Sequence, residues 1–248
     1  MPLRAVFLDM DHTLCDTEQA DQLAVIDFQE ELATPFGRAV ASQISRKYLS
    51  VIYGEYRHRD GWQRCPGETE IGYRARLLAQ TISEVCESDE PFGSPVDHAR
   101  LFMDLRIRHF AFFPGAVEML RELRSRFTLV VVSNGPLFSQ EPKITKVAMD
   151  RHVDHIILGG SLPHEKPHPS IFQLACRKAQ CEPSEAIHVG DSLESDIRGA
   201  SNSGITSVWL NSGEHVVDPV PAPDHIIRHI CELEEVLNGL SRTETLHV

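Results

Sequence analysis

Two carboxylates, Asp9 and Asp11, stand two positions apart in Asp9-Met10-Asp11-His12-Thr13-Leu14, directly after a short apolar run. Where a chain turns at a strand end, residues at that spacing can face one ligand, as a nucleophile and a proton donor or acceptor require. Aspartate also caps turns, so the segment alone leaves both readings open. Ser133-Asn134-Gly135 offers a hydroxyl and backbone N–H groups that can hold phosphate oxygens, although it is also an ordinary turn string. Lys166, in Glu165-Lys166-Pro167-His168-Pro169, stands in a loop leading into a helix whose first turn suits Pro169. Pro167 biases the backbone of that lysine toward the extended region. A lone lysine is otherwise a solvated surface charge. Gly190-Asp191-Ser192-Leu193-Glu194-Ser195-Asp196 places Asp191 at a strand end and Asp196 in the following helix. Both are oxygen ligands of the kind Mg²⁺ takes, or else caps paired with a helix dipole.

These side chains need a frame that brings them together. Four apolar runs supply it: AVFLD reaching Asp9, LVVVSN reaching Ser133, HIILGG reaching Gly160 and AIHVGD reaching Asp191. Such runs, rich in Val and Ile and bounded by turn residues, read as buried parallel strands. Helical patterns alternate with them, PGAVEMLRELRSR before the second and PKITKVAMDR, PSIFQLACRKAQ and SLESDIRGASNSG after the second, third and fourth. TSVWLN reads as a fifth strand, DHII as an edge strand, ICELEEVLNGL as a closing helix and SRTETLHV as a frayed tail. The expected class is α/β, a Rossmann-like doubly wound parallel sheet. Ligands of such sheets bind outside the carboxyl ends of the strands, where Asp9, Ser133 and Asp191 project.

Between Asp16 and Phe113 the alternation stops. Amphipathic helical patterns replace it: QLAVIDFQEEL, VASQISRKYLSVIYGEYRHR, IGYRARLLAQTISEVC and HARLFMDLRIRHFAFF. GWQRCPGE and SDEPFGSP separate them, and Pro114-Gly115 marks the return to the sheet. The expected organisation is a catalytic core of residues 1–15 and 114–248 with a helical insertion at 16–113.

The 248 residues are 42% apolar and 24% charged, with no apolar run near the ~20 residues that cross a bilayer. The N-terminus lacks the pattern of a secretory signal, so a cytoplasmic protein without a membrane partner is expected. A formal net charge of −12 opposes binding to nucleic acid. Cys15, Cys65, Cys86, Cys176, Cys181 and Cys231 are scattered, indicating neither a zinc site nor a disulfide framework. An acidic chain that binds phosphate esters must create a local positive site from a metal or a few placed cations.

In this order and at these gaps, DMDHTL, Ser133, Lys166 and GDSLESD resemble the four motifs of the haloacid dehalogenase superfamily. The resemblance runs from Arg4 to about Trp209, with the helical insertion where that superfamily carries its C1-type cap. It implies Asp9 as nucleophile, Asp11 as general acid and base, and Ser133, Asn134 and Lys166 as phosphate binders. It further implies that Asp191 binds Mg²⁺ with Asp9 and the Asp11 carbonyl, and that Asp196 supports them. A second aspartate at Asp11 points to a phosphatase, since dehalogenases of the superfamily lack it. His12 departs from the pattern, standing where many relatives carry Gly or Asn, and either touches substrate or faces solvent.

VGDSLESDIRGASNSGITSVWLN and EKPHPSIF are similar to the branch of N-acylneuraminate 9-phosphatases and pyrimidine 5′-nucleotidases. The implied partner is a small phosphate ester, a sugar or acylneuraminate phosphate favoured, with a nucleoside monophosphate or phosphoglycolate as alternatives. A β-phosphoglucomutase-like transferase and a non-catalytic module are the other readings. Either a monomer or a homodimer is compatible with them. In the last helical pattern of the insertion, Arg106, His109, Phe110 and Phe113 fall at i, i+3, i+4 and i+7. That face either meets the leaving group, with Arg106 binding substrate, or is packing.

Overall fold

The computed structural model describes residues 2–54, 65, 67–87, 93–213 and 218–245. They form two compact units, Met1–Thr17 with Ala111–Val248, and Glu18–Phe110. The chain opens with β1 (Ala5–Leu8) and then enters four helices, α1 (Thr17–Phe36), α2 (Arg38–Ile52), α3 (Glu70–Cys86) and α4 (Pro95–His109). Local chemistry sets their ends. Gly37, at φ 77, separates α1 from α2 in a conformation that costs glycine little. The Thr69 hydroxyl accepts the Gly72 N–H at the start of α3, and Ser94 accepts that of Asp97 at the start of α4. Helical spacing then buries Ala41, Ile44, Tyr48 and Val51 on α2 and Ala99, Phe102 and Leu105 on α4. The rings of Phe28, Tyr48 and Phe102 centre this second core, with centroids 4.9 to 6.3 Å apart.

Two helical expectations are corrected. α4 stops at His109, because Phe110 turns to an extended backbone (ψ 124) and is buried. The pattern through Phe113 is therefore not one helical face, and only Arg106 and His109 share α4. α2 ends at Ile52, and the rest of its expected pattern beyond Gly54 lies outside the described residues. Most of the breaks at GWQRCPGE and SDEPFGSP lies outside them as well.

The first unit continues with α5 (Ala116–Arg124), β2 (Thr128–Ser133), α6 (Leu137–Val147), β3 (His155–Leu158), α7 (Pro169–Ala179) and β4 (Ala186–Gly190). A π-helical turn, Leu193–Ile197, runs into α8 (Arg198–Asn202), and β5 (Thr206–Leu210), β6 (His225–Ile227) and α9 (Leu233–Thr245) close the chain. All the paired strands are parallel, in the order β3-β2-β1-β4-β5-β6. Parallel strands covered on both faces must be apolar throughout, and every residue of β1 is fully buried. Val6, Phe7 and Leu8 each contribute roughly 1.5–3 kcal/mol by leaving water. The chain builds outward from β1 to β3 and then returns to β4 on the other side of β1. The reversal therefore falls between β1 and β4, which makes their carboxyl ends the ligand crevice of the sheet.

Two further differences concern helix ends. The expected start of α6 at Pro142 is too late: the helix begins at Leu137, because the Pro136 carbonyl accepts the Ser139 and Gln140 N–H groups. At the other end, α9 continues through Thr245 where a frayed tail was expected from Ser241. Among the described residues, no helix is long and apolar enough to cross a membrane.

Candidate active site

Adjacent strands deliver the first two carboxylates. Leu8 and Val189 are register partners, and the Asp9 N–H donates to the Val189 carbonyl at 2.9 Å, so Asp9 and Asp191 leave the sheet side by side. The loop after β3 brings Lys166 between them and Asp196. Its ammonium, 2% exposed, lies 2.5 Å from Asp9 Oδ1 and 2.7 Å from Asp196 Oδ1. Asp196 Oδ1 also meets His188 Nε2 at 2.9 Å, and its Oδ2 accepts the Ser192 N–H at 3.0 Å. This packing needs glycine at 190, where a Cβ would lie 2.1 Å from Asp196 Cγ. The indole N–H of Trp209 donates to the Asp191 carbonyl at 2.8 Å and fixes the turn from the other side.

Crowding of charge defines the electrostatics. Burial pushes the Asp9 carboxyl up to about 8; Lys166 pulls it down, while Asp196 and Asp191 push it further up. Asp191 is raised by burial and by Asp196, against an opposing pull from His12. For Asp196 burial also acts upward, but Lys166 and His188 overcome it and hold that carboxyl well below the usual range. Oxygens of Asp9, Asp191 and Asp196 all lie within 4.8 Å of one another. Since Asp196 is already satisfied by a cation, an imidazole and an amide, Asp9 and Asp191 are the carboxyl groups left to receive a cation. A divalent cation coordinated by oxygen fits that pair.

Asp11 is held separately. Its Oδ1 accepts the Thr17 hydroxyl and the Lys143 ammonium, each at 2.6 Å, and its Oδ2 accepts the Gln140 amide at 2.9 Å. Burial alone would raise this carboxyl, yet Lys143, Thr17 and Gln140 together keep it below its ordinary value. The same Gln140 nitrogen lies 3.3 Å from the buried hydroxyl of Ser133 and 2.6 Å from the Asn134 carbonyl. Asn134 clasps the Lys166 backbone in both directions, its amide donating to the carbonyl and its oxygen accepting the N–H, both at 2.8 Å. Its side chain thus orients the lysine loop. Thr17, Gln140, Lys143 and His188 were not singled out from the sequence. The available signals were a histidine inside the apolar run AIHVG and an amide and a lysine three residues apart after Ser133.

The profile of the haloacid dehalogenase-like hydrolases matches residues 3–204 of this chain. The chain belongs to that family. Within the family, N-acylneuraminate-9-phosphatase of Mus musculus is 28% identical over 251 residues, covering 96% of this chain and 95% of the relative. Glyceraldehyde 3-phosphate phosphatase of Pyrococcus furiosus is 33% identical over 241 residues, covering 97% and 94%. A haloacid dehalogenase-type hydrolase of Bacillus subtilis, solved bound to magnesium, shares the fold with a TM-score of 0.71 at 20% identity, covering 96% of this chain and all of that one. This haloacid dehalogenase-like hydrolase is accordingly an enzyme, a phosphatase.

His12 takes φ 58, a left-handed conformation that Gly and Asn reach more easily, and it opposes the upward shift of the Asp191 carboxyl. Arg106, in the helical unit, is paired with Asp21, which is nearly buried, and with the Tyr53 hydroxyl. His109 meets Asp27 at 2.7 Å in the same unit.

Proposed function

We propose that this phosphatase is Mg²⁺-dependent and hydrolyses a small phosphorylated metabolite, a sugar or acylneuraminate phosphate favoured, through an aspartyl phosphate on Asp9. The observation that carries the proposal is the convergence of Asp9, Asp191 and Lys166, with the lysine 2.5 Å from Asp9 and the carboxylate oxygens within 4.8 Å. Mg²⁺, held by Asp9, Asp191 and the Asp11 carbonyl, would supply charge neutralisation for a phosphoryl dianion among carboxylates. Lys166 and Ser133 hold the phosphoryl oxygens. An Asp9 oxygen attacks phosphorus as the bond to the ester oxygen breaks, and Asp11 gives that oxygen a proton. Asp11 then takes a proton from water as the water attacks the aspartyl phosphate, releasing inorganic phosphate and restoring Asp9. Positioning and charge stabilisation do most of the work in such transfers.

The helical unit, 18–110, is proposed as the cap that selects the leaving group. Relatives named N-acylneuraminate-9-phosphatase and glyceraldehyde 3-phosphate phosphatase support a small phosphate ester as the substrate. Six unbridged cysteines fit a reducing compartment such as the cytoplasm. The test is phosphate release from a panel containing both esters, in buffer treated with EDTA and then supplied with Mg²⁺ or Ca²⁺. Activity is expected with Mg²⁺ and not with Ca²⁺, whose larger, looser shell suits the site less. Full turnover in metal-free buffer would contradict the metal requirement, and no release from any ester would contradict the substrate class.

A further inference from the structure

Asp11 must present its carboxyl to the leaving oxygen in one orientation, yet it sits in a turn after β1 that does not by itself fix a side-chain torsion. The residues that fix it come from a different element. Gln140 and Lys143 lie three apart on α6, so they share a face of that helix, and both reach Asp11. Lys143 is 7% exposed and Gln140 5%, burials that a solvated lysine and amide do not need. Lys143 and Thr17 converge on Oδ1, whereas Gln140 holds Oδ2 and places the same amide nitrogen against the Ser133 hydroxyl and the Asn134 carbonyl. The carboxylate is thereby gripped at one oxygen by a charge-assisted bond, the stronger kind. Its other oxygen is tied through a neutral amide to the segment that receives the phosphoryl group.

We infer that Lys143 and Gln140 are positioning residues that set the Asp11 carboxyl against the ester oxygen, with Lys143 fixing Oδ1 and Gln140 coupling Oδ2 to the phosphoryl-binding segment. The inference rests on the proposed function, because it presumes that Asp11, whose carboxylate the three donors stabilise as the anion, takes up a proton in the loaded site and gives it to the leaving group. It also places the charge of Lys143 in a different role from that of Lys166, which is bound to the nucleophile instead. Geometry alone separates them: Lys166 contacts Asp9 and Asp196, and Lys143 contacts Asp11.

Leaving-group dependence tests this. An alkyl phosphate expels a strongly basic alkoxide and needs its proton, whereas p-nitrophenyl phosphate expels a stable phenolate and needs none. General acid assistance accounts for about 10²–10⁴-fold in rate, so misplacing the acid should cost the alkyl ester roughly tenfold or more beyond any loss on the aryl ester. The quantity to compare is kcat/KM, which reports the steps through phosphoryl transfer to Asp9. Lys143→Met should show that selective loss, Lys143→Arg should recover part of it, and Gln140→Met, which removes no buried charge, should show a smaller loss of the same selectivity. Circular dichroism and thermal melts confirm that each variant is folded, and the Gln140 variant decides the matter if the Lys143 variant does not fold. Equal losses on the two esters, or no loss in either variant, would overturn the inference. Wild-type turnover of both esters is measured alongside. If the wild type releases no phosphate, the proposed function fails; if it does and the variants lose both esters equally, only the positioning role fails.

Discussion

At the scale of single residues, the site is governed by which carboxylate receives which cation. Lys166 touches two acids, but Asp196 also has His188 and the Ser192 N–H, so Asp196 stays ionised while burial lifts Asp9 to about 8. Without metal, Asp9 holds a proton at pH 7 that the unfolded chain would have lost near its ordinary value, and a metal ligand must be ionised. Mg²⁺ binding at pH 7 should therefore release a proton, and its affinity should rise as pH increases toward 8. Calorimetric titrations in two buffers of different ionisation enthalpy check this; identical heats would contradict it. By linkage, Asp9 makes the metal-free fold lose stability as pH rises from about 4 to 8, because there the native state binds the extra proton. Arg106 is a different case. Its partner Asp21 has a side chain only 5% exposed, so Arg106→Ala leaves a buried charge uncompensated, a change costing about 3–5 kcal/mol. A melting temperature lowered by several degrees, with parallel loss on every ester, is expected of that variant. An unchanged melt with a raised KM for one ester would instead return Arg106 to substrate binding.

At the scale of elements, close approach matters more than composition. Gly190→Ala would drive a methyl group into Asp196 and displace the acid that holds Lys166. Lower thermal stability and loss of most turnover are expected, measured by melting and phosphate release; a variant with native activity would show that Asp196 does not need this packing. The strand ends carrying Asp9, Ser133 and Asp191 were legible in the sequence, because each is a local event: an apolar run followed by a turn residue. Lys166 was legible from its place in that order. Lys143 and Gln140 were not, for two physical reasons. Pro142 signals a helix start, and α6 instead carries it internally, hiding the turn that includes Gln140. Their partner Asp11 also lies 129 and 132 residues away along the chain, a pairing that no local pattern encodes. The Asp21–Arg106 pair, 85 residues apart, was hidden in the same way.

At the scale of the whole molecule, a chain with a net charge of −12 gathers two buried lysines at the carboxyl ends of one parallel sheet, each against an aspartate from the turn after β1. The two lysines offset part of the charge of Asp9, Asp11, Asp191 and Asp196, and a bound divalent cation would supply the rest of what an anionic substrate requires. Cation binding should also register globally: Mg²⁺ in excess should raise the unfolding temperature of the protein by mass action, and Asp191→Asn should abolish the shift. The central claim, that Asp9 accepts the phosphoryl group, is tested most directly by rapid acid quench of the wild-type enzyme with a radiolabelled ester, followed by peptide mapping. The account predicts an acid-stable, base-labile label on the peptide containing Asp9, absent from Asp9→Asn. Phosphate released with no labelled protein, or a label on any other residue, would contradict it.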